Sequence, residues 1–528
     1  MGFDGETPSS FEYIERLSSP LKSRECILAS PFGPSLPCSL APSLPCSLVP
    51  TNPPPSKLEF MPGFHVENFG CRAARADGEA IGSRLRAMIA DRTFTADVVV
   101  VNTCSVTAEA DRAARAFIRR AHRQNPSAKI VVTGCYAQRS PGELAAMSGV
   151  AAVVGNSHKA LAPEIIFNLL QSSKQRESNA QTGAFVQIER TPAAQAVPAP
   201  PQAVWVDDRF AHSFLEETPV APGTQTRPNL KIQEGCSNRC TFCVIPQTRG
   251  PSRSLPHAVV LRQVRDFTDA GGKELVLSGI NLGRWGRDLS PGFGREPLAG
   301  LVRAILEQTA LPRLRLSSIE PMDWDSELIS LMAEFAGTRL ARHAHLPLQS
   351  GSDSVLRRMH RRYRPWHYAE KAAALLRAAG PDLTLGADVM AGFPGETDRE
   401  FEETLDFLRA LPFGYLHLFP FSPRPATPGW RLHRADPVGA VVVQERMAAL
   451  RALASEKTRA HRSSFVNRTL PLITLQTPPA LAARGRTTAL SENFLPVELD
   501  RSFPANQLVQ ARVTGLSQSG SLLASSLQ

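Results

Sequence analysis

Cys236, Cys240 and Cys243 form a C-x3-C-x2-C run within eight residues. A loop that short can offer thiolates to three corners of an iron–sulfur cubane and leave the fourth iron without a protein ligand. A cluster used only for electron transfer takes a fourth cysteine, and zinc sites normally set one C-x2-C against a second pair. An open iron implies a small molecule bound to it. Three more cysteines, Cys71, Cys104 and Cys135, lie 33 and 31 residues apart, each just after an apolar run: Gly70-Cys71, Asn102-Thr-Cys104 and Gly134-Cys135. Thiols that follow neighbouring parallel strands share one rim of a sheet, where ligands bind, so these three could hold a second open cluster. Zinc is the alternative, although no single His is placed as its fourth ligand, and three small buried hydrophobes are the plainest reading.

Such thiols need strands to carry them. Phe64 to Phe69, Asp97 to Val101 and Lys129 to Thr133 read as strands, and Asp77 to Ile89 and Ala108 to Arg123 as helices. This βαβαβ order implies a parallel sheet with right-handed crossovers. Beyond the Cys236 loop, strand-like runs at Leu275 to Ser278, Arg313 to Ser317, Ala344 to Pro347, Leu385 to Met390 and Tyr415 to Pro420 alternate with helices such as Ala258 to Ala270 and Glu400 to Leu411. That is the pattern of a partial (β/α) barrel, whose working loops follow the strands. Ser278-Gly-Ile-Asn281, Ser318-Ile-Glu320, Gln349-Ser-Gly351 and Gly392-Phe-Pro-Gly-Glu-Thr397 stand at those places. Thr397-x-x-Glu400 is also a capping box, and Gly271-Gly272 reads as a helix C-cap. The last stretch carries runs Leu470 to Leu475, Leu495 to Leu499 and Leu508 to Val513 between Gly, Pro and Asn turns, as a small β-barrel would.

The whole chain has 528 residues, 42% hydrophobic, with 59 Lys+Arg against 49 Asp+Glu for a net charge of +10. The apolar content excludes wholesale disorder, and the basic balance permits an anionic partner such as nucleic acid without proving one. An odd total of nine cysteines with one dense knot is unlike a secreted disulfide framework and predicts a cytoplasmic protein. Residues 26 to 56 carry no charge, yet prolines at 31, 34, 37, 42, 45 and 50 would break a membrane helix. Asp4, Glu6, Glu12 and Glu15 stand where a signal peptide is basic. The tandem repeat Pro34-Ser-Leu-Pro-Cys-Ser-Leu40 and Pro42-Ser-Leu-Pro-Cys-Ser-Leu48 has no packing face. The expectation is an α/β multidomain chain. Residues 1–60 are a disordered extension or a mis-annotated start before Met61, 61–185 a parallel βαβ domain and 186–226 a linker containing an Ala/Pro/Gln-rich stretch; 227–462 form the barrel and 463–528 a small β-barrel.

The linked motifs are Gly70-Cys71, Val101-Asn-Thr-Cys-Ser-Val-Thr107, Gly134-Cys-Tyr-Ala-Gln138, the 236/240/243 triad, Arg249-Gly-Pro-Ser-Arg-Ser254, His345-Leu-Pro-Leu-Gln-Ser-Gly-Ser352 and Gly392-Phe-Pro-Gly-Glu396. Over residues 61 to 515 they resemble the methylthiotransferase family of radical S-adenosylmethionine (SAM) enzymes. Gly134 to Gln138, Ser278 to Gly283 and Ser317 to Pro321 look like the branch that acts on N6-threonylcarbamoyladenosine of tRNA. The isopentenyladenosine and ribosomal-protein branches carry other residues there. The resemblance implies two 4Fe-4S clusters, an auxiliary one on Cys71, Cys104 and Cys135 and a SAM-cleaving one on Cys236, Cys240 and Cys243. In the family picture the latter passes one electron to SAM, and the resulting 5′-deoxyadenosyl radical initiates attack at adenosine C2. The auxiliary cluster holds or supplies the sulfur.

SAM contacts are then expected from Gly271, Gly272, Ser278, Asn281 and Gln349. An electron donor and a sulfur source complete the partners, with a TRAM-like RNA-binding domain at the C-terminus and no membrane. The run Arg357, Arg358, Arg361, Arg362 and Arg364, with Tyr363 and Trp366 interleaved, reads as an RNA contact or as a solvated helix end. The helical stripe Arg112, Arg115, Arg119 and Arg123 reads as a solvated face or a phosphate contact. Two departures from the family pattern stand out: Arg72-Ala-Ala-Arg75 follows the first cysteine where a polar Asn usually falls, and Phe421 replaces a common Tyr. A non-catalytic iron–sulfur RNA-binding protein is the remaining alternative; it would lose cysteines, and all six are present.

Overall fold

The computed structural model describes residues 63–89, 97–170, 203–208, 210, 215, 226–289 and 297–527. The repeat and the rest of the stretch expected as an extension, 1–60, lie outside the described residues.

The first sheet has five parallel strands in sequential order: β1 (Phe64–Asn68), β2 (Val98–Thr103), β3 (Lys129–Gly134), β4 (Val150–Gly155) and β5 (Ala203–Trp205). The four consecutive valines of β2 are buried on both faces, as a central parallel strand covered by helices requires. Ile81 and Leu85 of the helix Arg72–Ile89 pack on Val98, Val100, Val131 and Val154. β5 is a correction to the expected linker 186–226. Ala203 to Trp205 pair in register with Ala152 to Val154, and Gln138 Nε2 donates to the Asp207 carbonyl at 2.6 Å. That part of the segment therefore completes the first sheet.

The central domain is an arc of six parallel strands. β6 (Asn229–Glu234), β8 (Glu274–Gly279) and β9 (Arg313–Leu316) form one sheet, edged by the two-residue antiparallel β7 (Arg253–Ser254). β10 (His343–His345), β11 (Thr384–Ala391) and β12 (Phe413–Pro420) form the other. Ala341 N donates to Leu314 O at 2.9 Å and Ile319 N to His345 O at 3.1 Å, which carries the arc across the seam. Amphipathic helices cover the outside; His257–Asp269, for one, buries Val260, Leu261, Val264 and Phe267 at helical spacing.

The C-terminal domain closes five strands into a barrel in the order β13 (Thr469–Thr474), β14 (Thr487–Ser491), β15 (Pro496–Leu499), β17 (Leu522–Ser526), β16 (Leu508–Leu516). It docks against the amino ends of the central strands. There Arg315 Nη2 donates to the Ser491 and Glu492 carbonyls at 3.3 and 2.9 Å, and Asn493 Nδ2 to Asp382 O at 3.1 Å.

Candidate metal centre

β6 runs into the Cys236 loop through Gly235, whose φ is +70°. A Cβ there would stand 1.9 Å from the Pro251 carbonyl oxygen, so glycine alone fits. Cys236 N donates to Gly250 O at 3.0 Å and Thr241 N to Met359 O at 3.1 Å, which tie the loop down. N–H groups point at the sulfurs. Cys236 Sγ accepts from Asn238 N at 3.4 Å and Asn281 Nδ2 at 3.7 Å, and Cys240 Sγ from Arg361 Nη1 at 3.2 Å. Glu320 holds Arg361 and Asn238 in place, at 3.2 Å each. Burial pushes the Cys243 thiol up to about 12.

The other three cysteines meet at the carboxyl rim of β1, β2 and β3. Burial first, and then the neighbouring Cys71 and Cys135, push the Cys104 thiol up to about 12. Gly70 lies so close that a Cβ would be 2.7 Å from Cys104 Sγ. Cys135 Sγ accepts from Asn156 Nδ2 at 3.4 Å and from Arg249 Nε at 3.2 Å. Arg249 comes from the central domain, and its neighbour Gly250 is the residue that holds Cys236. Two consecutive residues thus join the two thiol triads.

A buried charge network fixes this junction. Lys159 Nζ lies 3.0 Å from Asp77 and 2.9 Å from Glu234, Arg249 Nη1 lies 3.0 Å from Asp77, and Lys231 pairs with both carboxylates. Three cations face two carboxylates, and the surplus guanidinium is the one that touches Cys135. Burial opposes its charge, but Cys135, Glu234 and Asp77 hold Arg249 well above its ordinary range.

These residues fit iron–sulfur clusters. Thiols raised by burial ionise when a metal supplies positive charge, and N–H donors and a surplus cation suit an anionic cluster. His345, Asp388 and His417 also bring ligand atoms within 4.8 Å of one another. The Asn281 Oδ1 and Gln349 Oε1 acceptors are buried without partners. Both residues follow barrel strands, where a bound ligand's donors would satisfy them.

Residues 63–155 match the model of the uncharacterised protein family UPF0004, and 230–408 that of the radical SAM superfamily. The chain is 35% identical to the threonylcarbamoyladenosine tRNA methylthiotransferase MtaB of Bacillus subtilis, over 82% of this chain and 89% of that protein. The chain belongs to the radical SAM methylthiotransferase family. It is also 31% identical to the tRNA-2-methylthio-N(6)-dimethylallyladenosine synthase of Cereibacter sphaeroides, over 85% of this chain and 95% of that one. A solved radical SAM methyltransferase, TsrM from Kitasatospora setae, aligns at 13% identity with a TM-score of 0.46 over 74% of this chain and 89% of that one, too distant for any residue to be carried across.

Against this methylthiotransferase frame, several expected site residues need correction. Gly271 and Gly272 precede β8, at the opposite end of the barrel from the Cys236 loop, which follows the parallel β6. Gly271 N bonds Thr268 O and Gly272 N bonds Phe267 O, and a Cβ on Gly272 would strike the Phe267 ring. They cap a helix and do not reach SAM. The Ser278 hydroxyl is turned back onto Leu230 O at 3.3 Å. In the basic run, Arg361 is buried against Cys240, Arg358 is held bidentately by Glu400 at 2.8 Å, and Tyr363 is wholly buried with its hydroxyl on Pro347 O. Arg361 and Tyr363 are thus enclosed away from any RNA, while Arg358, one-third exposed, is already engaged by Glu400. Arg357 and Arg364 share Asp353, and Arg362 reaches an Asp323 that also takes Arg284 and Arg287; Trp366 is exposed. Arg249, Asn156, Asn238 and Glu320 went unassigned in the sequence, where only the motifs around Arg249 and Glu320 drew notice.

Proposed function

We propose that this enzyme adds a methylthio group to C2 of N6-threonylcarbamoyladenosine beside the tRNA anticodon, using two 4Fe-4S clusters and SAM. The observation that carries the reading is the junction of two three-thiol sets through Arg249 and Gly250, which ties both sets to one two-residue segment. When bound, the clusters and SAM supply the one-electron and sulfur chemistry that an unactivated aromatic C–H demands and no side-chain base provides. The chain's own work is holding and orienting. Cys236, Cys240 and Cys243 would hold one cluster, with Asn238, Asn281 and Arg361 offsetting charge on their sulfurs. Cys71, Cys104 and Cys135 would hold the other, oriented by Arg249 and Asn156. Asn281 Oδ1 and Gln349 Oε1 are free to accept from SAM donors. Exposed Arg119 and Arg123, with the C-terminal barrel, are the surfaces left for tRNA. An external electron donor and a sulfur source complete the cycle.

The relatives named for threonylcarbamoyladenosine share 30–35% identity with this chain and those named for dimethylallyladenosine 30–32%; together with the motifs at Gly134 to Gln138, Ser278 to Gly283 and Ser317 to Pro321, this supports the first substrate over the second reading, an isopentenylated adenosine. Nucleoside mass spectrometry of tRNA from a deletion strain tests it. The 2-methylthio derivative of threonylcarbamoyladenosine should vanish and return with the wild-type chain but not with Cys240→Ala; an unchanged level rejects the substrate.

A further inference from the structure

The lumen of the central barrel carries more positive charge than it balances. Glu274 at the start of β8 takes bonds from Arg227 at 3.4 Å, Arg313 at 3.2 Å and Arg315 at 2.9 Å. Burial would raise this carboxyl, but Arg315, Arg227 and Arg313 bring it down to about 2. Asp388 is engaged by His345 Nε2 at 3.1 Å and His417 Nδ1 at 3.2 Å. A fourth guanidinium, Arg72, enters from the residue after Cys71. Its charge centre lies 5.6 Å from the centroid of Phe494, a residue of the C-terminal barrel, beside those of Arg227 at 6.0 Å and Arg315 at 5.3 Å. Phe494 also packs on His343 and Tyr415, at 4.5 and 5.6 Å, and so floors the lumen. Among the described residues no carboxylate lies within 4 Å of Arg72 and no hydrogen bond ends on its guanidinium.

A half-buried guanidinium that lies over a π face with no hydrogen-bond partner is held at a cost unless an anion joins it. His343, hemmed in by burial, Arg315 and Arg72, is held well below its ordinary range and stays neutral, so it adds no further cation. The space is reachable: the side chain of His417 is 57% exposed and that of Asp388 23%.

We propose that Arg72, above the Phe494 floor, receives the carboxylate of the substrate's N6 substituent. The assignment rests on the threonylcarbamoyladenosine reading and adds the group that enforces it. A planar guanidinium matches a carboxylate with two parallel N–H bonds, and the same unpaired charge rejects an apolar isopentenyl chain.

The test is equilibrium binding of anticodon stem-loops to the reconstituted holoenzyme at fixed salt. The probes carry N6-threonylcarbamoyladenosine, its threonyl methyl ester, or isopentenyladenosine. Wild type should prefer the free acid over the ester by about tenfold, the size of one charge-assisted pair. Arg72→Gln should shrink that preference to about twofold with ester affinity unchanged, and Arg72→Lys should keep part of it. An undiminished preference in Arg72→Gln, or no preference in wild type, overturns the receptor. Loss of iron from both variants also overturns it, by making Arg72 structural. A wild-type enzyme that binds the isopentenyl stem-loop most tightly rejects the substrate reading itself.

Discussion

The two cysteine triads reach similar chemistry by opposite routes. Cys236, Cys240 and Cys243 sit in one loop, shaped by Gly235 and partly open to solvent. Cys71, Cys104 and Cys135 come from three strand ends and meet only when the sheet is complete, two of them buried. The loop triad is a property of local backbone. The strand-end triad is a property of a whole domain, and its best sulfur donor, Arg249, belongs to the neighbouring domain. One site is therefore nearly autonomous, while the other depends on docking.

This contrast can be broken or sharpened by experiment. The largest effects come from the ligands: wild type should hold about eight irons as two four-iron clusters. Cys240→Ala and Cys104→Ala should each lose about half, yet only Cys240→Ala should abolish SAM cleavage. Loss of cleavage in Cys104→Ala would show that the loop triad is not autonomous. Next is Arg249→Met, which takes one of three buried cations from Asp77 and Glu234, leaves Lys159 and Lys231 on them, and should cost about 1–3 kcal/mol in denaturant unfolding. Mössbauer spectra should show it emptying the auxiliary site first; equal loss from both sites would refute the docking dependence. Gly235→Ala is the mirror case, forcing a Cβ onto the Pro251 carbonyl at a positive φ for about 1–3 kcal/mol. It should deplete the loop cluster and spare the other. The smallest change is expected from Arg361→Leu, which removes an N–H donor from Cys240 and should move the loop cluster to a more negative potential, read by redox titration with EPR detection. An unmoved potential would assign Arg361 to packing alone.

Legibility in the sequence followed the same divide. The C-x3-C-x2-C run and the valine-rich β2 announce themselves because their signals are local. β6 escaped notice because its alternation holds only two apolar residues, Leu230 and Ile232, between Asn229, Lys231 and Gln233, whose partners lie elsewhere in the chain, Asp77 and Ser252 among them. β5 escaped because it is three residues long and far from its partner strand in the chain. Arg361 was misjudged since five arginines in eight residues resemble a solvated surface; its burial follows from the fold of the Cys236 loop over it. Gly271 and Gly272 show the reverse error, where a helix stop was also credited with a ligand although it precedes its strand, and the working loops of such a barrel follow the strands.

Phe494 gives the chain a timetable. The floor of the central barrel is made by a residue synthesised 74 positions after β12 ends at Pro420. At typical translation rates the barrel stays bottomless for roughly 4–15 s after its last strand has been made. Through that interval the guanidiniums of Arg227 and Arg315 lack their π partner and Arg315 lacks the Ser491 and Glu492 carbonyls. Nascent chains arrested before Ser491 emerges should be cut by protease within the central domain, and chains arrested after the C-terminal barrel has closed should resist; equal resistance would mean that the barrel matures without its floor.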